Sequence, residues 1–104
     1  MPANRPPRAD IERKAIEVYT KENQVIKTLE ELGELSQALS KWLLCQSVFP
    51  PAELKANVKS EVADVQIMLD QMKMIFGPTD IEEDVKLTRL AGRLGMIAAV
   101  GESR

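Results

Sequence analysis

Residues 23–45 read NQVIKTLEELGELSQALSKWLLC, and residues 51–76 read PAELKANVKSEVADVQIMLDQMKMIF. In the first stretch Leu29, Leu32, Leu35, Leu39, Trp42 and Leu43 recur at three- and four-residue steps, the period of one helix face. In the second, Leu54, Val58, Val62, Val65, Leu69, Met72 and Phe76 do the same. Between them residues 46–51 break the pattern: Pro50 removes a backbone donor, and Pro51 suits a first helical turn. Working outward, Asp10 is expected to cap an earlier helix reaching about Glu22, with Ile11, Ala15, Val18 and Tyr19 on one face. On the far side Gly77-Pro78 ends the third helix. Asp80, with Glu83 three residues on, is expected to cap a fourth that fades near Gly92 and Gly95, leaving the apolar residues 96–100. Residues 1–8 carry three prolines and no apolar period, so they read as a mobile arm. The expectation is an all-α four-helix bundle, with residues 9–104 as a single helical domain.

The composition limits what such a bundle does. Over 104 residues, 14 Lys and Arg face 16 Asp and Glu, a net charge of −2 that lacks the basic excess of a general nucleic-acid binder. Hydrophobic residues at 44% support a folded globular chain. No apolar run approaches the roughly 20 residues of a membrane span. One cysteine and no signal-like segment point to a cytoplasmic setting. The absence of histidine is the sharpest limit. It removes Ser-His, Cys-His and His-ligated metal chemistry together. An enzyme built from this chain works with carboxylates, amines, guanidiniums and a hard metal ion.

The acids stand in unusual places. On a helical wheel Leu54, Val58, Val65, Met68, Leu69 and Met72 define an apolar arc on the third helix. Glu61 falls inside that arc and Asp64 lies on its edge. On the second helix Glu31 and Glu34 are also three residues apart, which puts their Cβ atoms about 5–6 Å from each other on one face. An isolated Glu-x-x-Glu is usually a solvated surface, but two such pairs flanking core seams are not. A buried, unpaired carboxylate costs several kcal/mol, so Glu61 needs a cation. Lys27, Lys41 and Lys86 are the available bases, and the four acids outnumber them. Four oxygen donors without imidazole or thiolate suit Mg²⁺ or Mn²⁺ rather than Zn²⁺. A di-iron bundle would use Glu-x-x-His pairs, and there is no histidine to make them.

The run Glu30-Glu31-Leu32-Gly33-Glu34, followed by Glu61-Val62-Ala63-Asp64, resembles the EExxE…ExxD signature of MazG-like nucleoside triphosphate pyrophosphohydrolases. The resemblance extends over roughly residues 23–94. It implies an all-α fold, Mg²⁺ dependence with Mn²⁺ as a substitute, and hydrolysis of a nucleoside or deoxynucleoside triphosphate to monophosphate and pyrophosphate. It makes Glu31, Glu34, Glu61 and Asp64 the metal ligands. Glu30 or Glu34 becomes the group that orients or deprotonates the attacking water. It also implies a homodimer or homotetramer.

Substrate contacts follow from position and from the same resemblance. Lys86, Arg89 and Arg93 form one basic stripe on the fourth helix, as phosphate contacts or as a solvated face pairing with Glu82 and Glu83. Lys27, on the stripe of Glu31 and Glu34 with Gln24, is placed to reach a phosphate. Trp42, and more weakly Tyr19, are candidates to stack on a base, against the plainer role of core or interface aromatics. Cys45 reads as an apolar filler, since no histidine activates it. Gly33, Ser36 and Ser40 make a small-residue stripe fit for close packing of a second helix. The alternative to the enzyme is a non-catalytic helical module that binds protein or nucleotide.

Overall fold

A computed structural model describes residues 4–98, and every regular element in that range is helical. The helices are α1 (Arg8–Tyr19), α2 (Lys21–Leu44), α3 (Pro51–Phe76) and α4 (Asp80–Arg93). The long α2 and α3 form the main packed pair, joined by a short turn in which Val48 and Phe49 both donate backbone hydrogen bonds to the Cys45 carbonyl. Gln24 meets Gln71, Glu34 lies beside Glu61, and Lys41 lies beside Leu54, the progression of an antiparallel hairpin. The third helix starts at Pro51 and ends before Gly77 at φ 110°, both as the sequence implies.

Three helix ends differ from expectation. The first helix begins after Pro7, so Arg8 belongs to it, and Asp10 pairs with Arg13 at 3.3 Å in the first turn instead of capping. The break between α1 and α2 falls at Thr20, which has φ 80° and ψ 156°. Its hydroxyl oxygen accepts from the Asn23 amide at 3.3 Å and so caps α2. In α4 the cap position belongs to Thr79, whose hydroxyl donates to the Glu83 carboxylate, and Asp80 is already helical. The fourth helix closes with Gly95 at φ 73°. The Gly95 amide donates to the Gly92 carbonyl and the Met96 amide to that of Ala91, a Schellman ending that only glycine adopts without strain. The expected tail continues into residues 99–100, outside the described range, as do residues 1–3 of the expected arm.

The buried seam is small and largely polar. Ala38, Leu54, Val65 and Met68 are its apolar members; Glu12, Gln24, Thr28, Glu31 and Gln71 are equally buried. On α3 the inward face follows the sequence reading in part: Leu54, Val65 and Met68 are buried and Val58, Glu61 and Met72 half-buried, while Val62, Leu69 and Phe76 stay exposed. On α2 it does not. Gln24, Thr28, Glu31 and Ala38 turn inward, while Leu29, Leu32, Leu39, Trp42 and Leu43 stay exposed.

The fourth helix packs on none of the other three, and Lys73 at the end of α3 holds Glu83 in its first turn at 3.2 Å. The chain is therefore open. Its radius of gyration is 17.7 Å, where a compact domain of this length has about 13 Å. Its surface is 8030 Å², where about 5,800 Å² is typical for 11.6 kDa.

Candidate metal centre

The antiparallel register brings two acids of α2 level with one of α3. Glu31, Glu34 and Glu61 each bring one carboxylate oxygen within 4.8 Å of the other two. Glu31 is buried, Glu61 half-buried and Glu34 exposed, so the group opens on one side. Glu31 Oε1 and Glu61 Oε1 are buried and accept no hydrogen bond. Such orphaned oxygens are uncommon, because buried polar atoms normally find partners. Burial pushes the Glu61 carboxyl above its ordinary range, and the charges of Glu34, Asp64 and Glu31 push it further.

Lys27 is the cation at this cluster. Its ammonium lies 3.0 Å from Glu31 Oε2 and 3.9 Å from Glu30 Oε1. The hydrogen bond to Glu31, then that carboxylate's charge, raises the lysine pKa, with Glu30 and Glu34 adding to it. Among the described residues, one cation beside Glu30, Glu31, Glu34, Glu61 and Asp64 leaves a surplus of negative charge. An all-oxygen donor set with two unpartnered buried oxygens fits a hard divalent ion.

The other expected site residues are distributed unevenly. Asp64 is exposed and outside the 4.8 Å group, yet close enough for its charge to act on Glu61. Glu30 borders the Lys27 side of the cluster and lines a cavity beside it. Trp42 lies eight residues beyond Glu34, about 12 Å along α2, and is half-exposed. Lys86, Arg89 and Arg93 sit on α4, which the single chain does not bring against α2.

A second charged group escaped the sequence reading. The Arg8 guanidinium bridges Glu12 at 3.1 Å and Asp70 at 2.8 Å, tying the start of α1 to α3. Burial, then hydrogen bonding with Asp70, raises the Glu12 carboxyl against the pull of Arg8. Burial also opposes ionisation of Asp70, but hydrogen bonds from Glu12 and Gln66, with the Arg8 charge, hold its pKa below the ordinary value. The only sequence signal was the i,i+4 spacing of Arg8 and Glu12, half of it inside the expected arm.

Among the described residues no helix is long and apolar enough to cross a membrane. Comparison with protein-family models, curated proteins and solved structures gives no match for this chain.

Proposed function

We propose that the protein is a MazG-like, Mg²⁺-dependent hydrolase that converts a nucleoside or deoxynucleoside triphosphate to the monophosphate and pyrophosphate. The observation that carries this reading is the pair of buried, unpartnered oxygens on Glu31 and Glu61 inside a three-carboxylate group. Glu31, Glu34 and Glu61, with Asp64 at the margin, would hold the ion. Once bound, Mg²⁺ supplies charge neutralisation on the triphosphate and acidifies a water. Glu34 is exposed at the mouth of the cluster, and Glu30 stands on its Lys27 side. Either carboxylate is suited to take the proton from the attacking water. Lys27 offers the positive charge that a phosphate oxygen requires beside so many acids.

The reading includes a homodimer or dimer of dimers. The surface excess of about 2,200 Å² per chain exceeds the roughly 800 Å² that each partner contributes to a standard stable interface. The leucine stripe of α2 and the unpacked α4 are the surfaces to be covered, and such pairing is the means by which Lys86, Arg89 and Arg93 of one copy would approach the acids of another. A reducing, cytoplasmic compartment suits the free thiol of Cys45.

The test is pyrophosphate release from a panel of common and damaged NTPs and dNTPs, with Mg²⁺ and with excess chelator. Metal-dependent pyrophosphate release that is lost in Glu61→Gln and Asp64→Asn is the expected result. Folded protein that binds nucleotide or protein without turnover would favour the non-catalytic module.

A further inference from the structure

Thr28, Glu31 and Ala38 turn inward on α2, and the residue after each is an exposed leucine: Leu29, Leu32 and Leu39. One residue of an α-helix is about 100° of rotation. A roll of α2 by that angle would exchange its polar inward face for an apolar one. Burial of apolar surface is the main driving force for packing, so within one chain it favours the rolled state. The same roll would carry Glu31 and Glu34 away from Glu61 and take the carboxylate group apart. The turn at residues 45–50 joins the two helices at one end but does not stop α2 from rolling.

At the other end stands the single side-chain hydrogen bond that joins α2 to α3 among the described residues, which place no ion pair between these helices. Gln24 Nε2 donates to Gln71 Oε1 at 2.7 Å, and the two residues are only 6% and 3% exposed. Each carboxamide carries both a donor and an acceptor, so the tie holds with the roles exchanged. The buried Thr28 hydroxyl donates to the Gln24 backbone carbonyl at 2.8 Å, which satisfies the next polar group of the seam. Gln24 precedes Glu31 by two helical turns on the same face, and Gln71 follows Glu61, Val65 and Met68 along the seam of α3. In the rolled state Val25 would replace Gln24 and leave Gln71 buried without its partner, a heavier penalty than a made hydrogen bond is a gain.

We propose that Gln24 and Gln71 are positioning residues of the carboxylate centre, their buried bond holding α2 in the rotation that brings Glu31 and Glu34 to Glu61. The inference rests on the metal-binding reading of that centre. A buried amide serves in the same way in coiled coils, where it fixes one arrangement at some cost in stability.

Binding of Mn²⁺ alone, followed by the loss of its free paramagnetic signal, separates positioning from stability when thermal melts are run beside it. Gln24→Leu combined with Gln71→Leu replaces the bonded pair by an apolar one. This double variant should keep its helicity and melt no lower than Leu54→Ala, yet bind Mn²⁺ at least about tenfold more weakly than the native protein. Leu54→Ala removes buried apolar surface two turns from Glu61, so it should lower the Tm and leave the affinity within about twofold. Gln71→Glu keeps an acceptor for the Gln24 amide. It should lower the Tm through its buried charge and still retain the affinity to within about threefold. Native-like affinity in the double variant, loss of its helicity, or an equal loss of affinity in Leu54→Ala or Gln71→Glu would overturn the positioning role and leave the metal centre standing. A native protein that binds no Mn²⁺ overturns the metal centre and this role with it.

Discussion

Lys27 places its ammonium 3.0 Å from Oε2 of Glu31, so one oxygen of this carboxylate is paired while the other, Oε1, is buried and unpaired. The lysine thus half-neutralises the innermost acid and leaves the remaining charge facing Glu34 and Glu61. Lys27→Met should lower the thermal stability of the metal-free protein, because the acids then repel without a counter-charge. Added Mg²⁺ should recover more stability in this variant than in the native protein. Thermal melts with and without metal check both expectations.

Glu61→Gln should act in the opposite sense. The amide keeps the shape, removes one charge from a crowded group, and leaves helicity intact by circular dichroism. The metal-free Tm should rise, the Mg²⁺-induced shift should shrink or vanish, and turnover should fall by at least about 100-fold.

The raised carboxyl of Glu61 gives a defined pH dependence. Because its pKa in the folded chain exceeds the unfolded value of about 4.3, the folded state binds the extra proton between the two. This contribution favours folding at low pH and is lost as pH rises through the folded pKa. Metal binding needs the ionised form, so it must displace that proton in the same window. The Mg²⁺-induced rise in Tm should therefore grow with pH from about 4 towards neutrality. The Glu61 contribution to metal-free stability runs in the opposite direction over this window, so the difference in stability between the native protein and Glu61→Gln should change with pH in that sense.

Thr20 joins α1 to α2 at φ 80° and ψ 156°, a conformation that costs a non-glycine residue about 1–3 kcal/mol. Thr20→Gly relieves that strain, and glycine at a cap sacrifices only a few tenths of a kcal/mol. After the added freedom of the unfolded chain, a net gain of about 1 kcal/mol is expected. Thr20→Ala keeps the strain and loses the cap, so it should cost about 1 kcal/mol. Denaturant melts of the two variants should bracket the native protein.

The exposed leucines of α2 give a prediction about assembly. Leu29 and Leu43 are 65% and 68% exposed in the single chain, so an aspartate at either position leaves the chain's own packing untouched. Light scattering should report a dimer or larger for the native protein and a monomer for Leu29→Asp combined with Leu43→Asp. A native protein that is monomeric at micromolar concentration contradicts the proposed assembly.

Long amphipathic periods made α2 and α3 legible: the third helix runs over the residues its spacing picks out, and Glu61 lies on its inward arc as the wheel implies. The α1–α2 break was not legible, because Tyr19-Thr20-Lys21 contains neither glycine nor proline to announce a positive φ. The facing of α2 was misread for a different reason. Hydrophobicity marks the leucines as core, yet the seam within one chain is made by Gln24, Thr28 and Glu31, whose polar groups are partly matched across the hairpin. Glu31, Glu34 and Glu61 come together as the paired three-residue spacings on successive helices imply, while Asp64, the fourth acid of that reading, stays outside the group. The Gln24–Gln71 contact could not be read, since it depends on the exact register of α2 against α3. Nor could the place of α4, because no apolar pattern says which molecule a helix packs against.

The measurement that bears most directly on the proposed chemistry is hydrolysis in heavy-oxygen water. The resemblance to MazG-like enzymes implies attack at the α-phosphorus, and the chain has no Gly-x-x-x-x-Gly-Lys-Ser/Thr loop for γ-transfer. With Mg²⁺ and a turned-over triphosphate, mass spectrometry should find the label on the monophosphate and none in pyrophosphate. Orthophosphate as the primary product, or label confined to pyrophosphate, would contradict the account.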